Sequence, residues 1–526
     1  MKPLLLVLAL ATAAFAQQKP PEEKATPTPT PHPAATPHPE HATAGEESKE
    51  LRFDMTEVPP VVTHHQVQVG GRTIHYTATV GHLPIKDAAG TTDALMFYVA
   101  YTLDGATPGE RPLTVAFNGG PGSASIWLHM GVLGPRKVVL EKEGFLPAAP
   151  YRLEDNASTL LDRSDLVLVD AIGTGFSRPA TVAKGKKFWG VEGDIDSFGE
   201  FIRLYITRNE RWSSPLFLLG ESYGTTRAAG ISNHLAERGV AFNGIVLLST
   251  VLSFETLESN KTNDLPYPLI LPSYAMIAAY HHKLAPELTG NLEQLRKEVE
   301  QWASQDYTLA LAKGDSLTPA DRQAVIDRLA RYTGLSKEFL DETNLRVDVR
   351  GFTHRLLADR KLRVGRLDGR FTGPDPRGFE DTPFYDPTIT VQAPFTSAFN
   401  DYVRRELGYK TDMPYYVMAR EAWGHAFEWN WGSGIEGFPD TATALRQALV
   451  KNRHLKVLVI EGYYDLATPY YAVNYSMDHL DLPADYRQNI SYTTDPAGHM
   501  VYLDSPSLVK MKSDVAGFID ASLPKP

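Results

Sequence analysis

Short apolar runs punctuate the middle and the end of the chain, and each stops at a glycine-rich or polar loop. Leu113 to Phe117 ends in Asn118-Gly119-Gly120-Pro121-Gly122, and Leu166 to Val169 ends in Asp170-Ala171-Ile172-Gly173-Thr174-Gly175. Leu216 to Leu219 ends in Gly220-Glu221-Ser222-Tyr223-Gly224, Ile245 to Leu248 in Ser249, and Val457 to Ile460 in Glu461-Gly462. Runs that are apolar on both faces and separated by helical segments predict a mostly parallel sheet covered by helices. Phe198, Ile202 and Tyr205 mark one such helix, and Ala228, Ile231 and Leu235 mark another from Thr225 to Arg238. Ahead of them, Val67, Val69, Ile74, Tyr76 and Ala78 alternate on either side of Gly70-Gly71, which predicts a hairpin. Leu95 to Tyr101 predicts a further strand.

Between about 255 and 418 this rhythm stops. Leu292, Leu295, Val299 and Trp302 fall at helical spacing, and Thr318-Pro319 opens a second helix that Gly334 closes. At residue 456 the strand pattern resumes. The block 255–418 therefore reads as a helical lid inserted into one α/β core formed by 51–254 and 419–526.

The N-terminus carries a different pattern. Lys2, the apolar run Leu4 to Ala11 and Ala14-Phe15-Ala16 before Gln17 predict an export signal over residues 1–16. Residues 17–50, with Thr26-Pro27-Thr28-Pro29-Thr30-Pro31, hold almost no apolar side chains and predict an extended, solvated linker. The expected location is thus periplasmic or secreted. Beyond this segment no run is apolar enough to cross a membrane.

With 526 residues, 43% hydrophobic and 22% charged, the chain is long enough for one large domain with insertions. A net charge of -11 argues against non-specific nucleic-acid binding. The absence of cysteine removes disulfides, thiolate chemistry and Cys-ligated metal. His281-His282 and His64-His65 are adjacent pairs without the spacing of a zinc site, and no P-loop or dinucleotide fingerprint occurs. No metal and no cofactor are expected.

The candidate chemistry sits at Ser222. Strand, Gly-x-Ser-x-Gly, helix is the context in which the pattern makes a nucleophile elbow. A serine hydroxyl needs a base, and the base needs an orienting acid. Asp465 lies just past the strand at 457–460, and His499 lies in a loop after the strand-like Ile490 to Thr494. The alternatives are a turn-stabilising aspartate and a structural histidine. Two backbone N–H groups must face the developing oxyanion, and Tyr223 and Gly120 are placed to offer them.

These pieces, from Asn118-Gly119-Gly120-Pro121-Gly122-Ser123-Ala124-Ser125 through Gly134-Pro135, the 170–177 loop, the elbow and the Asp465 and His499 loops, resemble the serine carboxypeptidases of the α/β-hydrolase fold. The resemblance implies release of a C-terminal amino acid through an acyl-enzyme. It also implies that Asn118 and a protonated Glu221 hold the substrate's terminal carboxylate. A carboxyl group so close to the nucleophile must be neutral to donate a hydrogen bond to that carboxylate. The chain departs from the family at Val132, where a glutamate is usual, at Ser123, where a cysteine is usual, and at Thr225-Thr226-Arg227. Arginines crowd the lid at 346, 350, 355, 360, 363, 366, 370 and 377, and one of them could replace the missing carboxylate contact. Trp423, Trp429 and Trp431 are candidates for either a pocket wall or the core. The reading is an exported serine carboxypeptidase-like hydrolase acting on a peptide or small acyl substrate. An esterase or acyltransferase on the same triad, and a non-catalytic binding protein of this fold, are the rivals.

Overall fold

The computed structural model describes residues 51–375, 385–432 and 437–524. The expected export signal 1–16, the expected linker 17–50 and Arg377 lie outside the described residues. The main sheet contains β1 Val61–Val69, β2 Arg72–Lys86, β3 Thr92–Leu103, β4 Leu113–Phe117, β5 Asp165–Val169, β6 Leu216–Glu221, β7 Gly244–Leu248, β8 Lys456–Gly462 and β9 Ile490–Asp495. Their spatial order is β1-β2-β3-β5-β4-β6-β7-β8-β9. Antiparallel pairing joins β1 to β2, β2 to β3 and β3 to β5, whereas β5, β4, β6, β7, β8 and β9 run parallel. The hairpin at Gly70-Gly71 takes positive φ at both glycines (57° and 76°), so side chains there would be strained.

Both faces of the sheet are covered, which is why the central strands read as unbroken apolar runs. Phe217 and Leu219 of β6 enter one core with Val246, Leu248 and Ile460, while Leu216 and Leu218 enter the other with Val115 and Val459. Helices α1 Val191–Arg208 and α2 Tyr223–Ala236 pack on the second face through Phe198, Ile202, Ala228 and Ile231. The topology, with a serine at the sharp turn after β6, is the α/β-hydrolase fold.

Between β7 and β8 the chain leaves the sheet. It forms α3 Pro266–Tyr280, α4 Leu292–Trp302, α5 Pro319–Thr333 and α6 Val349–Arg355, then a small hairpin of Leu362–Val364 with Thr372–Pro374, and then α7 Gln392–Arg405. Thr318 caps α5 by accepting from the Asp321 N–H, and Gly334 ends it in the left-handed region at φ 69°. The helices from α3 to α6 build a third core of their own, which also receives Tyr464 and Leu466 from the loop after β8. In contrast, α7 places Phe395, Phe399 and Tyr402 into the first sheet-face core. The stretch after about residue 391, expected within the inserted block 255–418 because the strand rhythm stops there, packs against the sheet face. Helices α8 Ala442–Lys451, α9 Tyr470–Asp478 and α10 Ser505–Ser522 complete the layers. Among the described residues no helix is long and apolar enough to cross a membrane.

Candidate active site

The parallel strands open their C-terminal ends where the chain order reverses around β4, the place at which α/β sheets bind ligands. Ser222 stands there between β6 and α2 at φ 61°, ψ −132°, a conformation that costs an L-residue energy and is held by its surroundings. Its N–H donates to the Leu248 carbonyl (2.9 Å), and its carbonyl accepts from the Thr225 N–H (2.8 Å). The flanking glycines are obligatory. A Cβ on Gly220 would come within 2.2 Å of the Gly224 oxygen, and one on Gly224 within 2.8 Å of the Phe117 oxygen.

Asp465 and His499 meet behind the serine. His499 Nδ1 lies 2.7 Å from Asp465 Oδ2. The aspartate is fully buried and its oxygens also accept from the Ala467 N–H (2.7 Å), the Thr468 N–H (3.1 Å) and the Thr468 hydroxyl (2.7 Å). Thr468 also approaches His499 Nδ1 at 3.2 Å. Burial works to lower the His499 pKa, but the Asp465 carboxylate outweighs it and the net shift is upward. Ser222 and His499 line one cavity of about 550 Å³. No hydrogen bond joins the Ser222 hydroxyl to the imidazole among the described residues, a contact that in unliganded hydrolases commonly tightens only with substrate.

The same cavity is lined by Asn118, Gly119, Gly120, Glu221 and Tyr223. A Cβ on Gly119 would sit 2.4 Å from the Tyr223 nitrogen, so this loop rests directly on the elbow. Among the described residues the Gly120 and Tyr223 N–H groups have no acceptor within the chain, and α2 points its positive end at the same place. Glu221 is buried and accepts from the Tyr502 hydroxyl at Oε2 (2.8 Å). Burial pushes it up to about 7, against the lowering influence of His499, Tyr502 and Asn118. With Oε2 occupied, Oε1 is the place for the proton. The Asn118 side-chain oxygen accepts from the Leu128 N–H (3.0 Å), which turns its NH2 toward the side chains of Glu221 and Tyr502.

Other candidates divide. Val132 is buried in the apolar core and does not line the cavity, so no carboxylate stands there. Of the described arginines between 346 and 370, Arg350 and Arg366 line the cavity. Arg346 pairs with Asp264 (2.6 Å) and Arg370 with Asp368 (2.7 Å). Trp423 is a core residue whose Nε1–H donates to the Gly173 carbonyl (2.8 Å). Trp429 and Trp431 pack edge-on against Tyr223 (5.2 and 6.2 Å) and line a neighbouring surface pocket. His281 donates from Nε2 to the Gly369 carbonyl (2.7 Å) as a structural residue. The sequence reading missed Thr468 and Tyr502. Only Thr468 left a trace, as a threonine three residues after the acid, where a hydroxyl can fold back on it.

Two further carboxyl groups are buried at the C-terminal ends of sheet strands. Glu461 on β8 has both oxygens without a partner among the described residues, and burial pushes its pKa well above the usual range. Burial also lifts Asp170 up to about 6. A carboxyl whose folded pKa is raised contributes stability that is complete below its unfolded value and is lost as pH rises through the folded one. The unfolding temperature should therefore fall as pH rises through about 6, where Asp170 ionises, and about 7, where Glu221 does. A level Tm across this range in calorimetry would contradict the assignment.

Residues 71–309 match the family model described as serine carboxypeptidase. No curated protein sequence matches the chain. Solved structures similar to it include a proline iminopeptidase from Mycobacterium smegmatis, at 15% identity, covering 88% of this chain and 98% of that one with a TM-score of 0.34. A thermostable carboxyl esterase from Bacillus coagulans is 12% identical, covering 84% and 98% with a TM-score of 0.36. A variant of epoxide hydrolase from Solanum tuberosum is 13% identical, covering 84% and 99% with a TM-score of 0.34.

Proposed function

Taking the chain as an α/β-hydrolase matched over residues 71–309 to the serine carboxypeptidases, we propose that it is exported and releases C-terminal amino acids from peptides through an acyl-enzyme. His499 takes the Ser222 proton as the oxygen attacks the scissile carbonyl. Asp465, through Nδ1, keeps the imidazole oriented and stabilises its charged form. The Gly120 and Tyr223 N–H groups receive the oxyanion. The imidazolium then protonates the leaving amine, and water, deprotonated by the same histidine, resolves the ester.

The observation that carries the exopeptidase reading is Glu221, a buried carboxyl on the wall of the cavity that also holds Ser222, with one oxygen taken by Tyr502 and a pKa pushed up to about 7. Neutral below that pH, it can donate to a substrate carboxylate that an ionised glutamate would repel. Asn118 supplies a second donor from the same wall.

The test compares a blocked dipeptide as free acid with its C-terminal amide across pH. For the free acid, kcat/KM should fall as pH rises through about 7, because Glu221 loses its proton. The amide should show no such fall, and Glu221→Gln, which keeps a donor, should remove it for the free acid as well. His499 and Glu221 interact, so the limbs report the pair. Equal profiles for acid and amide would favour the esterase or acyltransferase reading, which the same triad supports.

A further inference from the structure

Resting on the hydrolase reading of this cavity, we propose that Arg366 selects substrates bearing a second carboxylate, apart from the one Glu221 and Asn118 would take. The turn that carries it is bolted to the catalytic loops. Its N–H donates to Asp386 Oδ2 (2.9 Å), its carbonyl accepts from the Leu466 N–H (3.0 Å) next to Asp465, and the adjoining Leu367 carbonyl accepts from the His499 N–H (2.7 Å). The backbone is therefore held on three sides while the side chain is exposed on the cavity wall. Its guanidinium makes no ion pair among the described residues, unlike Arg346 and Arg370 of the same run.

A guanidinium stays charged at any working pH and matches a carboxylate with two parallel N–H donors. Unpaired beside a histidine that must accept a proton, it opposes catalysis, because its field lowers the affinity of His499 for that proton. An anionic group on the substrate would cancel this field and gain a bidentate contact at once. The other charged groups on the wall are Glu258, Asp348 and Arg350. Asp348 is committed to capping α6 through the Gly351 N–H (2.6 Å), and Glu258 forms no ion pair with Arg366 within the described residues. The required substrate is thus a peptide with an acidic side chain near the scissile bond, in the released residue or in the residue donating the acyl group.

Binding isolates this claim from turnover. In a Ser222→Ala background, calorimetric titration should compare blocked Ala-Glu with Ala-Gln and blocked Glu-Ala with Gln-Ala. One acidic peptide should bind about tenfold tighter than its isosteric amide, and the pair that shows it locates the carboxylate. Arg366→Ala should abolish that preference and Arg366→Glu should reverse it. Arg360→Ala, an exposed arginine of the same run outside the cavity, should leave it intact. Equal binding of acid and amide in both pairs, or a preference that survives Arg366→Ala, overturns the proposal. Selective binding without turnover of any peptide by the unsubstituted protein would overturn the hydrolase reading while leaving the role of Arg366 standing.

Discussion

Replacing His499 with alanine should lower kcat by a factor on the order of 10⁶, with substrate affinity nearly unchanged. Glu221, the residue before Ser222, cannot stand in as the base, since it is neutral below about 7 and already accepts from Tyr502. Asp465→Asn should cost less, about 10⁴-fold, because an amide at that position presents the wrong partner to Nδ1 while the imidazole stays in place. The ordering should be visible in single-turnover assays on an activated ester, where binding and chemistry separate. Thr468 adds a refinement. Its hydroxyl donates to Asp465 Oδ2 alongside His499, so Thr468→Val should have a much smaller effect than either substitution.

The second large effect concerns stability and comes from Arg227. The side chain is fully buried, pairs bidentately with Asp194 of α1 (2.7 and 3.1 Å) and lies over the Phe198 ring at 4.2 Å. It also donates to the Asn118 carbonyl (2.6 Å), so it ties the oxyanion loop to the helix that follows the nucleophile. Removing one partner strands a charge in an apolar interior, and Arg227→Met should lower the free energy of unfolding by about 3–5 kcal/mol. Arg227→Lys should not restore it, because an ammonium cannot reproduce the planar fork. Replacing Arg227 and Asp194 together by apolar residues should destabilise less than either change alone, since no unpaired charge remains. Urea unfolding of the two single variants and the double variant measures this. A double variant as unstable as the sum of the singles would contradict it.

Much of the fold was legible because its signals are local. Strands buried on both faces appear as apolar runs, and the runs at 113–117, 216–219, 245–248 and 457–460 became neighbours in the parallel sheet. The elbow was legible for the same reason, since only glycine fits at 220 and 224 and both glycines stand in the five-residue pattern. What stayed hidden depends on which distant surfaces meet. The helical spacing of Phe395, Phe399 and Tyr402 is indistinguishable from that of α4 or α5, yet it faces the sheet and theirs faces the third core. Tyr502 reaches Glu221 across 281 positions, and nothing around either residue announces it. Arg227 stood in the sequence only as a departure at the start of α2, and its value comes from Asp194 on another helix. The arginines between 346 and 377 look alike in the sequence, and among the described ones their surroundings distinguish ion-paired Arg346 and Arg370 from cavity-lining Arg366.

His499 should activate Ser222 for acyl transfer. Reaction with a fluorophosphonate followed by peptide mapping tests it, because an unactivated serine does not react at a useful rate. One adduct is expected, on the peptide carrying Ser222, formed faster as pH rises and His499 loses its proton, and nearly absent in His499→Ala. An adduct elsewhere, or labelling of Ser222 at an undiminished rate without the histidine, would contradict it.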